Sequence, residues 1–126
     1  MNQIIHTDKA PAAIGPYSQA VKAGNLLFVS GQIPIDPATG AFAGEDIVTQ
    51  TRQSLNNVQA ILEEAGYTLA DVVKATVLLA DMADFAAMNT VYAQFFTTNC
   101  PARAAFAVKE LPRGAKVEIE VIACRD

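Results

Sequence analysis

The residues best suited to chemistry in this chain are one arginine and a pair of glutamates. Arg103 stands in "CPARAAFAV" (100–108), between a helix-stopping proline and a run of small apolar residues. A guanidinium at the mouth of a strand suits a carboxylate, because its planar fork makes paired hydrogen bonds that lysine does not reproduce. Glu118 and Glu120 stand in "KVEIEVIACR" (116–125). Side chains alternate along a strand, so these two share a face with Ile122 and Cys124, while Val117, Ile119, Val121 and Ala123 take the other. A solvated sheet face accounts for the glutamates most cheaply. If subunit contacts dry that face and Arg103 lies on the adjacent strand, two further readings open: a structural ion pair, or a base beside an anion clamp. Ser30-Gly31 adds a hydroxyl and a backbone that a ligand can approach closely. By itself the pair usually marks only a turn. Asn89 and Tyr17 read most simply as a helix-surface residue and a packing residue.

The rest of the inventory narrows the mechanism. His6 is the only histidine, which leaves a His-containing triad without a base and a zinc site short of ligands; no metal is expected. Cys100 and Cys124 are too few for a disulfide framework, so a reducing cytoplasm is the expected location. The net charge is −4 and no Lys/Arg cluster occurs, which argues against a nucleic-acid partner. No apolar run approaches the roughly 20 residues of a membrane span, and "MNQIIHTDKAPAAIG" has no basic start followed by an apolar run. Apolar residues make up 52% of the chain and charged ones 17%, a balance suggesting that apolar surface is covered by a partner subunit.

These groups need elements to hold them. The length of 126 residues predicts one domain, 1–126. Residues 1–16 are predicted to be extended and loop-like, with Pro11 and Pro16 barring a helix. "YSQAVKAGNLLFVSGQIP" (17–34) predicts two strands around Gly24-Asn25. From Glu45 to Ala65, Val48, Leu55, Val58, Ile61, Leu62 and Ala65 fall on one helix face, with Gly66 as the stop. "DVVKATVLLA" (71–80) predicts a central strand. Phe85, Met88, Tyr92, Phe95 and Phe96 mark the core face of a second helix, Asp84 to Thr97. A final hairpin is predicted from 103–111 and 116–125 around "PRGA". The order β-β-α-β-α-β-β gives an α+β fold, one sheet with two helices on one face. The other face is solvated, polar or packed against another subunit, and the apolar character of strands 26–30 and 72–79 favours the last.

Five segments together resemble the reactive intermediate deaminase (RidA, YjgF-like) family: "APAAIGPYSQAV" (10–21), "LLFVSGQIPIDPATG" (26–40), "QSLNNVQAILEEAG" (53–66), "NCPARAAFAV" (99–108) and "VEIEVIA" (117–123). The resemblance implies a single mixed β-sheet in the chorismate-mutase-like fold, and a homotrimer with clefts between subunits. It also implies hydrolysis of 2-imino acids and their enamine tautomers, such as 2-aminoacrylate, to 2-oxo acids and ammonia, with no cofactor. By that resemblance Arg103 holds the substrate carboxylate and Glu118 activates the attacking water. Tyr17, Ser30, Gly31 and Asn89 match other cleft residues. Ala105 stands where some relatives carry cysteine, and its backbone carbonyl is placed to hold the water. The alternatives are a non-catalytic carboxylate-binding or chaperone-like trimer and, against the acidic composition, a ribonuclease.

Overall fold

Alternating burial along the last strand organises the molecule. In a computed structural model describing residues 1–126, Val117, Ile119, Val121 and Ala123 are buried under the helices. Glu118, Ile122 and Cys124 are half-buried and Glu120 exposed on the opposite face. The elements are β1 (Gln3–Ile5), β2 (Ala20–Ala23), β3 (Leu26–Gln32), α1 (Ile47–Glu64), β4 (Val72–Leu79), α2 (Phe85–Phe95), β5 (Ala102–Ala107) and β6 (Val117–Cys124). They form one mixed six-stranded sheet, in the order β1-β2-β3-β6-β4-β5, with two helices.

The β2–β3 hairpin turns at Gly24-Asn25 as the sequence predicts, with Gly24 at φ 60°. Asp46 caps α1, its carboxylate accepting from Thr49 N–H (2.9 Å). That bond and one from the Thr49 hydroxyl hold its carboxyl below the usual range. Gly66, at φ 83°, follows the C-cap. One core cluster of 21 buried residues joins Leu55, Val58, Ile61 and Leu62 of α1, and Met88 and Tyr92 of α2, to the inner face of the sheet.

Three expectations need correcting. The N-terminal segment contains β1, a short edge strand paired with β2. Val48 faces solvent, and the inward positions of the first turns of α1 are Gln50, Thr51 and Ser54. Most consequentially, β5 and β6 are not a hairpin. β5 runs parallel to β4, which lies between them, and Pro112–Gly114 forms a 3₁₀ turn. A connection through α2 delivers β5 to the far edge, as parallel pairing requires.

The face away from the helices carries Leu26, Phe28 and Phe106, with Phe28 43% and Phe106 48% exposed. Lys74, Thr76 and Glu120 border the apolar groove formed by Val21, Phe28 and Ile122. No helix is long and apolar enough to cross a membrane.

Candidate active site

Glu118 is built into position by its neighbours on β3. Between Val29, which pairs with Val121, and Gln32, which pairs with Ile119, Ser30 and Gly31 stand opposite the single residue Glu120. This is a β-bulge, a device that bends a strand and re-aims its side chains. Gly31 therefore lies flat against Glu118: a Cβ there would stand 2.8 Å from Glu118 Cδ and nearer still to Oε2. Burial first, and then the Glu120 charge, hold the Glu118 carboxyl above the usual carboxylate range. A glycine before a strand's end is a recognised bulge signal, so this feature was within reach of the sequence.

Tyr17, Ser30, Gly31, Ile33, Pro112, Glu118 and Glu120 enclose a cleft of about 420 Å³. Tyr17 is 52% exposed and lines this cleft, rather than packing in the core. Ser30 Oγ donates to the Ser18 carbonyl (2.6 Å), so its lone pairs, not its proton, are available to a ligand. The sequence reading did not single out Ile33 or Pro112.

Arg103 belongs to a second cleft. It pairs in register with Ala75, which is buried under the helices, so its side chain rises on the helix side. There Nη1 donates to Asn89 Oδ1 (2.7 Å), and the guanidinium carbon lies 4.7 Å from the Tyr92 ring centroid and 5.6 Å from that of Phe85. Two aromatic faces and one amide thus hold the fork from α2, a cation–π cradle absent from the sequence reading. Burial pushes the Tyr92 phenol up, against the opposing Arg103 charge. Asn89, Tyr92, Phe96, Cys100, Pro101 and Arg103 line a cleft of about 350 Å³.

Within one chain, then, Glu118 and Arg103 lie on opposite faces and on strands separated by β4. The expectation of a polar pair on adjacent strands of one face is overturned. So is an ion pair of Arg103 with Glu118 or Glu120 in the same subunit, since the two salt bridges present are His6–Asp8 and Arg125–Asp71. Ala105, two residues on from Arg103, sits in the edge strand with its methyl against the core. The Val108 N–H donates to Leu79 O on β4. Backbone direction alternates along a strand, so the carbonyl of Ala105 points away from β4, toward the free edge.

Comparison with known proteins agrees with this architecture. The model of the endoribonuclease L-PSP family matches residues 7–125. A RutC family protein of Pyrococcus horikoshii is 57% identical over all of both chains. A 2-iminobutanoate/2-iminopropanoate deaminase of Salmonella typhimurium is 52% identical, covering 99% of each chain. The crystal structure of E. coli TdcF with bound serine superposes with a TM-score of 0.95 at 46% identity, covering 98% of this chain and 99% of that one. With a matched model over almost its whole length and relatives above half identity, the chain belongs to the YjgF/RidA family.

Proposed function

We propose that this protein is a 2-iminobutanoate/2-iminopropanoate deaminase, hydrolysing 2-imino acids and enamines such as 2-aminoacrylate and 2-aminocrotonate to 2-oxo acids and ammonia. The observation that carries the reading is the Glu118 carboxyl: half-buried, pushed upward, set against Gly31 and facing a cleft with Tyr17 and Ser30. A carboxylate raised toward neutrality is the better base for one water. The name of the Salmonella typhimurium relative supports this substrate class, and serine in E. coli TdcF supports a ligand bearing a carboxylate.

The reaction asks little of the protein. An iminium carbon is already electrophilic, so orientation and one positioned water suffice. Arg103 grips the substrate carboxylate. Water adds through oxygen to C2 while the C=N π pair moves onto nitrogen, and Glu118 takes the released proton. Glu118 then returns that proton to nitrogen. As the C–N bond breaks with its electron pair leaving on nitrogen, the carbinol oxygen forms the C=O bond and gives its remaining proton to Glu118. Glu118 passes that proton to the departing ammonia, leaving the 2-oxo acid. An enamine substrate first takes a proton at C3. Ser30 accepts a hydrogen bond from the nitrogen during these steps. Only water is consumed.

The separation of Arg103 from Glu118 in one chain supports a site shared between subunits of a homotrimer, Arg103 from one copy facing Glu118 of the next. The exposed Phe28 and Phe106 and the unpaired edge of β5 offer surface for that contact. A cytoplasmic place suits a protein with two free thiols. The competing reading, a carboxylate binder without turnover, needs Arg103 but not a raised Glu118.

The test generates 2-iminobutanoate in place with an amino-acid oxidase and traps surviving imine with semicarbazide. Wild type should suppress trapping, and Arg103→Ala and Glu118→Ala should fail to do so while keeping the fold. Trapping unchanged by wild type would leave carboxylate binding as the function.

A further inference from the structure

The Glu118 cleft opens into a second one. Tyr17, Gly31, Ile33 and Pro112 line both. Beyond these shared walls lies a groove of about 280 Å³ bordered by Pro11, Ile14 and Ile35, with Arg113 among its lining residues. Ile14 is largely exposed, so this apolar channel is open to a ligand.

Arg113 is unusual in its backbone and in its lack of an anionic partner. Its φ is 59°, left-handed, a conformation that Asn99 alone among the other non-glycine residues adopts. A non-glycine residue held there is strained, and such positions cluster at ligand clamps. Its guanidinium lies 5.7 Å from the Phe42 ring centroid and forms neither of the chain's two salt bridges. Asp8 lines the outer continuation of the groove together with Arg113, but its carboxylate is bonded to His6 (3.1 Å). The groove thus joins the Glu118 cleft by an apolar passage and carries a cation free of any carboxylate.

We propose that this groove is the subsite for the substrate's side chain, and that Arg113 favours 2-imino acids whose side chain ends in a carboxylate. The assignment rests on the imine-hydrolase reading and names its substrate class. With C2 at Glu118, a chain of two or three carbons runs along Ile33 and Pro112 and presents its terminal carboxylate to the Arg113 fork. Arginine suits that task because its fork matches a carboxylate geometrically.

The experiment compares wild type, Arg113→Ala and Arg113→Lys on 2-iminobutanoate and 2-iminoglutarate, each made in place by an oxidase. Both variants keep a Cβ, so the left-handed backbone is strained equally in all three. The ratio of kcat/KM for 2-iminoglutarate over 2-iminobutanoate should fall at least about ten-fold in Arg113→Ala, the size expected for losing one charged contact. Arg113→Lys, which keeps the charge but not the fork, should retain only part of it. A ratio that Arg113→Ala leaves unmoved overturns the subsite. Calorimetry with 2-oxoglutarate and 2-oxobutanoate separates this proposal from the reaction itself. If no imine is hydrolysed, tighter binding of 2-oxoglutarate that is lost in Arg113→Ala still supports the subsite, and equal binding of the two acids overturns it.

Discussion

Gly31 and Glu118 fit together so closely that a single methyl on Gly31 would occupy the space of the Glu118 carboxyl. The glycine is required here for its missing side chain, since its φ is not among the positive ones. Gly31→Ala should therefore push the carboxylate out of line. Misplacing a catalytic group by about 1 Å costs roughly 100-fold in rate, so kcat should fall by about that much. Circular dichroism should stay native, because the displaced group borders a cleft rather than the core. Full activity in Gly31→Ala would mean that Glu118 is not the base.

The upward shift at Glu118 gives two pH signatures. The folded carboxyl holds its proton to higher pH than the unfolded one, whose ordinary value is 4.5. Stability from this group is thus fully present below that value, declines as pH rises toward the folded pKa, and stays lower above it. Glu118→Gln should be more stable than wild type in denaturant at neutral pH, with the difference shrinking in acid, while losing activity. Because Glu120 contributes to the shift, Glu120→Gln should move the acidic limb of the kcat/KM profile to lower pH. An unmoved limb would assign that limb to another group.

The cradle around Arg103 predicts two opposite outcomes. Asn89→Ala removes the acceptor at 2.7 Å and should raise KM about ten-fold with a smaller effect on kcat. Tyr92→Phe keeps the ring beneath the guanidinium and deletes a buried hydroxyl that has no hydrogen-bond partner. It should retain activity and gain up to about 1 kcal/mol, a few degrees in Tm. A large loss of activity in Tyr92→Phe would show that the hydroxyl, and not the ring face, matters.

A shared site can be tested by mixing. Arg103→Ala and Glu118→Ala subunits, each expected to be inactive alone, are unfolded together in equal amounts and reassembled. If a site takes its arginine and its glutamate from neighbouring copies, random trimers regain about one functional site in four. If one copy supplies both, none returns.

Much of this arrangement was legible because alternation and helical periodicity are local. The two faces of β6, the β2–β3 hairpin, both helices and the central place of β4 follow from side-chain patterns within each segment. What periodicity does not carry is which strand lies beside which. The turn-like "PRGA" reads as a hairpin, yet the partner of β5 is β4, on the other side of α2 in sequence. That misplacement put Arg103 on the wrong face relative to Glu118. Its cradle of Phe85, Asn89 and Tyr92 escaped notice for the same reason: each of those residues has an adequate local role on a helix. Gly31 was recognised as permitting close approach, but the group approaching it was a side chain from β6.

The sheet order has a consequence for how the molecule is made. The last strand in chain order, β6, stands between β3 and β4. While a ribosome is still extending the chain beyond β5, the two earlier strands have nothing to join them, and the buried row Val117, Ile119, Val121 and Ala123 does not yet exist. Folding cannot proceed strand by strand from the N-terminus; it waits for synthesis of residues 117–124. The early segments spend that interval with apolar surface uncovered, a period of exposure to chaperones and to aggregation. Glu118 arrives in that same strand, so the sheet is completed and the half-buried carboxylate of its cleft supplied in one late step.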